Sequence, residues 1–370
     1  KISTMETQNG ANSGKTALVT GATSGIGREL ANLFARDGYN LVLVARGDDS
    51  LHQLAQGYEH QFGIKTTQIA KDLADDQAGQ QIYDQVIQEG IQVDVLVNNA
   101  GMGEYGMFAT ETDLQKEVDI IHINVVSLVK LTKLFLKDMV QRNDGKILML
   151  GSIASVLPNP KMAVYGATKS FIYSFSEALR NEIKETNVTL TVLMPGATDT
   201  DFFNKAGAMN AKVQEKARDT SAADVAKTGY DALMSGKDKV VHGLANKASV
   251  VMGHLLPDSA VTSSVRKEMK DKNEEQEESS SIAMSVAIAA LAVAGLVVLS
   301  AWNNRNPVEK AYDKARYRYK ANRAKDKATH ATDNLVHKAQ TGLDDLTTDL
   351  THKAQDGFDT LKETVLKAVN

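Results

Sequence analysis

The stretch ALVTGATSGIGRELANLF, Ala17 to Phe34, decides how the rest of the chain is read. Ala17 to Thr20 is a short apolar run of strand type, and Leu30, Leu33 and Phe34 recur at helical spacing. Between them lies a turn containing Gly21, Gly25 and Gly27. Strand, glycine turn and helix in that order aim helix-start N–H groups at a phosphate, while the absent side chains let the backbone approach it. A neighbouring run, GANSGKT from Gly10 to Thr16, is worded like a P-loop. It is one residue short between its glycines and leads into a strand instead of a helix. Residues 1–13 then read as a solvated leader, and with Lys as first residue Met5 is a candidate natural start.

Working outward, strand-like runs alternate with helical ones over residues 14–265. The strands are expected at Ala17–Thr20, Leu41–Ala45, Lys65–Ala70, Val93–Val97, Lys146–Leu150, Thr189–Met194 and Lys239–Val241. That alternation predicts an α/β fold, a doubly wound parallel sheet of seven strands with helices on both faces. Such sheets bind ligands beyond the carboxyl ends of their strands, at the point where strand order reverses. A net charge of −4 over 370 residues argues against a broad nucleic-acid surface. With no cysteine, disulfides, thiolate catalysis and cysteine zinc sites are excluded. Eight histidines are scattered without a close ligand set, so no catalytic metal is expected.

The turn TGATSGIG, spaced G-x-x-x-G-x-G, departs from the G-x-G-x-x-G of many dinucleotide folds and resembles the opening turn of the short-chain dehydrogenases/reductases. Further landmarks of that family follow in order. Asn98-Asn99-Ala100-Gly101 stands after the fourth strand, Asn124 in HINVVS, Ser152 after the fifth strand, and Tyr165 with Lys169 as Y-x-x-x-K, thirteen residues beyond the serine. Pro195-Gly196, with Thr198 and Thr200 beyond, follows the sixth. Singly, NNAG is an ordinary Asn/Gly turn and a Tyr/Lys pair at i, i+4 is a common helical neighbour pair. The ordered set is not. The resemblance covers about 250 of the 370 residues. It implies a Rossmann sheet and a catalytic set of Asn124, Ser152, Tyr165 and Lys169. The cofactor cleft it implies is lined by Gly21, Thr23, Ser24, Gly25, Ile26, Gly27, Arg46, Asp72, Leu73, Asn98, Ala100, Gly101, Pro195, Gly196, Thr198 and Thr200. Tyr165 and Lys169 serve there too.

The expected chemistry is interconversion of a carbonyl and an alcohol by hydride transfer. The i, i+4 spacing puts Tyr165 and Lys169 on one helical face, where the ammonium is expected to lower the phenol's pKa so that it exchanges a proton near neutral pH. Ser152 is expected to polarise the substrate oxygen. The resemblance further assigns Lys169 to the nicotinamide ribose and Asn124 to an ordered water. Arg46 ends the second strand where a carboxylate would select NAD(H), which favours NADP(H). Asp48 and Asp49 keep NAD(H) open, and a helix-capping role competes for Asp72. Residues 197–260 are expected to form the lid and rim of an apolar pocket, drawing on Phe202, Phe203, Met209, Met252, Leu255 and Leu256, or else to be ordinary core.

Beyond the charged linker 266–281, IAMSVAIAALAVAGLVVLSAW, Ile282 to Trp302, carries no charge. As a helix it would be roughly 31 Å long, enough for a single pass through the lipid bilayer. A basic, aromatic belt then leads into a tail in which HKAQTGLDDL recurs as HKAQDGFDTL fifteen residues later, a narrow amphipathic stripe. The lysine/arginine balance slightly favours a cytoplasmic tail, whereas the need for a cytosolic nicotinamide pool places the catalytic domain in the cytoplasm; the second consideration is the weightier for a large N-terminal domain. The expectation is thus a membrane-tethered reductase acting on an apolar substrate, with homo-oligomerisation implied by the family. The rival is a dinucleotide-binding sensor or scaffold with little turnover.

Overall fold

A computed structural model describes residues 12–255 and 257–270. Its centre is one sheet of seven parallel strands: β1 (Thr16–Thr20), β2 (Asn40–Ala45), β3 (Thr66–Ala70), β4 (Val95–Asn98), β5 (Gly145–Leu150), β6 (Val188–Met194) and β7 (Lys239–Val241). They are ordered β3-β2-β1-β4-β5-β6-β7. All seven predicted strands are present, each displaced by at most two residues at an end. Ala17 stands opposite both Leu41 of β2 and Val95 of β4, so β1 and β4 flank the reversal of strand order.

Alternation along the strands sorts the core into two layers, because successive side chains leave opposite faces of a sheet. Ala17, Val19, Leu41, Leu43, Val95 and Val97 bury against α1 (Gly25–Arg36), α2 (Asp48–Phe62) and α9 (Ala222–Met234), with Leu30, Phe34 and Tyr230 at the centre. Leu18, Val42, Val44, Leu96, Ile147 and Met149 bury on the other face, against α3 (Ala78–Gln88), α5 (Ser127–Arg142) and α6 (Ala163–Glu182). Strands covered on both faces need apolar residues at nearly every position, which is why these runs are so uniformly apolar. Between β4 and α5 lies α4 (Leu114–Ile121), which passes into one π-helical turn at His122–Val126.

A third, smaller cluster lies beside the carboxyl ends of the strands. Short helices α7 (Phe202–Lys205) and α8 (Lys212–Ala217) bring Phe203, Ala206 and Ala217 against Met162 and Met269. Two further helices follow β7: α10 (Leu244–Leu255) and α11 (Asp258–Glu268). The boundary expected at 265 therefore falls inside α11. The domain keeps this helix because its apolar residues are used: Val265 packs on the small cluster, the Tyr105 hydroxyl donates to the Met269 carbonyl, and Lys212 N–H donates to that of Lys270 at 3.2 Å. Among the described residues no helix is long and apolar enough to cross a membrane. The run Ile282 to Trp302, the rest of the linker, the tail and residues 1–11 lie outside the described residues.

Candidate active site

The glycine turn is held by a side chain that sequence reasoning passed over. Thr20, the last residue of β1, donates its hydroxyl to the Val97 carbonyl at 3.1 Å and accepts from the N–H groups of Asn99 and Ala100, both at 3.0 Å. Asn99 returns the tie, its Nδ2 donating to the Thr20 carbonyl at 2.8 Å. The loops leaving β1 and β4 in opposite directions are thus clamped together where the crevice opens. Gly21 has φ +67°, and an added Cβ would stand 2.9 Å from Asn99 Nδ2. At Gly27 a Cβ would overlap both Asn99 Nδ2 and the Gly21 carbonyl. The signal for Thr20 and Asn99 was present, as the last strand residue before the glycines and the second asparagine of NNAG, but their hydrogen bonds span about eighty residues of sequence.

The turn fits a dinucleotide phosphate. Ser24 precedes α1 in extended conformation, makes no side-chain cap and is exposed, so the helix start is left to an external acceptor. Gly25, at φ +54°, lies against Thr200, where a Cβ would stand 3.0 Å from that residue's methyl. Thr23 and Ile26 complete the turn, with Ile26 directed into the core. Arg46 is exposed at the end of β2, next to the first turn of α2 with Asp48 and Asp49. Asp72 is exposed and closes a local turn by accepting from Ala74 N–H at 3.0 Å; it caps no helix, since α3 starts at Ala78. Leu73 is buried. The Asn98 side chain is buried and its Nδ2 donates to Thr132 Oγ1 of α5 at 2.9 Å, so this residue has its backbone and not its side chain to offer the crevice. Ala100 and Gly101 keep their places beside the turn.

Asn124, Ser152, Tyr165 and Lys169 come from three separate segments and meet. Asn124 sits in the π-helical turn, where it exchanges two hydrogen bonds with the backbone of Met102, Oδ1 accepting and Nδ2 donating, each at 2.9 Å. The same Nδ2 donates to Thr168 Oγ1 of α6 at 3.0 Å. π-turns widen a helix by one residue per turn and are frequent at functional sites. Ser152 starts the short 3₁₀ turn Ile153–Ser155 and donates to the Pro195 carbonyl at 3.4 Å, joining the ends of β5 and β6. Lys169, 3% exposed, donates to the Leu150 carbonyl at 2.7 Å, and its Nζ lies 5.7 Å from the centre of the Tyr165 ring. Gly101 borders it, its missing Cβ position being 3.6 Å from Nζ and 3.3 Å from Asn124 Oδ1. Beyond the sixth strand Thr198 donates to the Gly196 carbonyl at 3.0 Å, and Gly196 has α10's Asn246 against it.

The electrostatics reverse one expectation. Burial pushes the Tyr165 phenol up to about 12, and its hydrogen bond with the Ser152 side chain acts in the opposite direction. Burial lowers Lys169 to about 8. The ammonium was expected to hold the phenol down, yet desolvation is the larger effect on both groups, and the lysine's nitrogen is committed to the Leu150 carbonyl.

The lid residues divide. The Phe202 ring lies 5.1 Å from that of Tyr165, and Phe203 is buried behind it. Met209 and Leu255 are 45% and 54% exposed and Met252 is half-buried, so these three do not form the expected apolar wall; Leu256 lies outside the described residues. No group of His, Asp and Glu residues able to hold a metal occurs among the described residues.

A family model described as short chain dehydrogenase matches residues 15–211. The chain belongs to the short-chain dehydrogenase family. Among its relatives, a very-long-chain 3-oxoacyl-CoA reductase of Mus musculus is 36% identical over 216 residues, covering 57% of this chain and 65% of the relative. One of the same name from Mycosarcoma maydis is 40% identical over 180 residues, 48% and 51% of the two chains. Sulfoacetaldehyde reductase 2 of Chromohalobacter salexigens is 35% identical over 214 residues, 56% of this chain and 84% of that one. This short-chain dehydrogenase therefore spans under two thirds of the length of the oxoacyl-CoA reductases it matches. A short-chain dehydrogenase from Sphingobium yanoikuyae in complex with NADPH superposes with a TM-score of 0.59 at 26% identity, covering 70% of this chain and 97% of that one.

Proposed function

We propose that the chain is an NADP(H)-dependent reductase that converts an apolar carbonyl, in the first instance a long-chain 3-oxoacyl thioester, to the alcohol. One observation carries this reading: the Tyr165 phenol stands beside the Ser152 hydroxyl and one helical turn from Lys169, next to a turn whose glycines leave room for a dinucleotide. Coenzyme preference is supported by exposed Arg46 at the end of β2 and by the NADPH held by the Sphingobium neighbour. The acyl substrate is supported by the names of the relatives and by the apolar cluster of Phe202, Phe203, Met162 and Met269 around Tyr165.

The bound coenzyme would supply the hydride. Ser152 donates a hydrogen bond to the substrate oxygen and orients it. Tyr165, held protonated at neutral pH, delivers the proton that oxygen takes up as its carbon is reduced, a role that favours reduction over oxidation. Lys169 faces the resulting phenolate with its positive charge, and Asn124 fixes the Met102 backbone and the water path by which the phenol regains its proton. The uncharged run Ile282 to Trp302 would tether the enzyme to a membrane with this domain on the cytoplasmic side. A homo-oligomer would form through α4, α5 and α6, where Leu114, Ile121 and Phe171 are exposed. The test is NADPH oxidation with 3-oxoacyl thioesters of increasing chain length, parent against Tyr165→Phe. Equal turnover by the two proteins would refute the proposal.

A further inference from the structure

One face of α10 is apolar and uncovered. Leu244, Ala248, Val251 and Leu255 follow one another at steps of four, three and four, and all are exposed, Leu244 by 80% and Val251 by 56%. The helix has no acidic residue and a single lysine, Lys247, which flanks the stripe. Its opposite face is spent on the site. Asn246 fills the space over Gly196, where a Cβ would stand 2.5 Å from its Oδ1, and Gly253 admits Leu157, two residues past the 3₁₀ turn that Ser152 starts. The helix is therefore a wall of the catalytic mouth whose outer surface has the makeup of an interfacial helix.

We infer that this face of α10 lies on the lipid surface, so that the mouth of the site opens at the bilayer. The inference rests on the tether proposed above, and two further considerations favour lipid over a protein partner. Eleven residues lie between Lys270 and Ile282, at most about 40 Å of chain, so a spanning run keeps the domain within touching distance of the membrane. A stripe along a twelve-residue helix is about 18 Å long and one side chain wide, well short of the roughly 800 Å² per partner of a stable protein interface.

Because the chain has no cysteine, a single probe can be placed without ambiguity. Full-length Val251→Cys, and Gln53→Cys on the exposed side of α2 as control, are labelled with a polarity-sensitive fluorophore. Both are reconstituted in phosphatidylcholine/phosphatidylserine vesicles containing nitroxide-labelled lipid. The position-251 probe should shift to the blue and be quenched several-fold more than the control. A blue shift without lipid quenching would mean that the chain's own tail or a second copy covers the stripe, and would overturn the inference. So would a water-like spectrum. Flotation of the same vesicles separates the two readings: a floating chain with an unquenched probe keeps the tether and loses the docked helix, and a chain that does not float loses both. In parallel, Val251→Glu should raise KM about tenfold for a 3-oxoacyl thioester embedded in vesicles while leaving kcat/KM for a short water-soluble analogue unchanged. An unmoved KM for the embedded substrate would count against lipid docking.

Discussion

At the residue scale, the buried Tyr165–Lys169 pair shows how one environment prepares two groups differently. Desolvation keeps the phenol protonated far above neutral pH and brings the ammonium close to it. Tyr165→Phe removes the proton donor and should lower kcat about 10²- to 10⁴-fold while NADPH still binds, which turnover and coenzyme-fluorescence titration would show. The lysine makes a pH prediction whose sign is definite. Its folded pKa, about 8, lies below the usual 10.5, so charging it costs the folded state on the order of 3 kcal/mol below pH 8, and the cost fades as pH rises from about 8 to 10.5. Lys169→Met removes the cost. Its Tm relative to the parent should therefore be highest below pH 8 and fall steadily toward pH 10, whatever offset the lost bond to Leu150 adds. Above about pH 8 the parent's reductase activity should decline as the lysine loses its charge. Gly27→Ala would drive a methyl into Asn99 and the Gly21 carbonyl, and should weaken NADPH binding by more than tenfold in calorimetric titration. That Ser152, Tyr165 and Lys169 come together was legible because their spacing and order are local facts. Thr20 and Asn99 were not singled out, since what makes them matter is a hydrogen-bonded clamp between loops far apart in sequence.

At the element scale, strands were the easily read part, because a strand covered on both faces must be apolar almost throughout. The end of helix α11 was cut off for the opposite reason. Its sequence from Asp258 to Glu268 is polar and charged apart from Ala260, Val261 and Val265, and its last residues, Arg266 to Glu268, next to an acidic run, read as the start of the linker. Only the placement of Tyr105 and the small cluster beneath it shows why the helix is kept. Met269, 8% exposed in that cluster, is therefore a structural residue. Met269→Ala should cost about 2–5 kcal/mol in denaturant unfolding, and because the same cluster touches Phe202 and Tyr165 it should also lower kcat. Unchanged stability would show that α11 is not part of the folded unit.

At the scale of the whole molecule, the question is how a doubly wound sheet with a glycine turn would serve the apolar substrate proposed above. Lid, α10 and α11 gather on the carboxyl edge of the sheet, the edge that carries the coenzyme turn, so the apolar surface and the reacting groups share one side of the domain. Coenzyme choice belongs here as well: Arg46→Ala should raise KM for NADPH at least tenfold and leave that for NADH nearly unmoved, because only the former presents a 2′-phosphate to the guanidinium. By itself the sequence determined the doubly wound sheet, the glycine turn and which four residues to look for together, since continuous apolar runs, glycine spacing and i, i+4 pairs are set by neighbours along the chain. Tertiary structure alone decided that the Asn98 side chain bonds to α5, that the end of α11 belongs to the fold, and that the phenol is raised rather than lowered. Each of these depends on which remote groups exclude water from a side chain or supply its hydrogen bond, and such groups become neighbours only after the chain has folded.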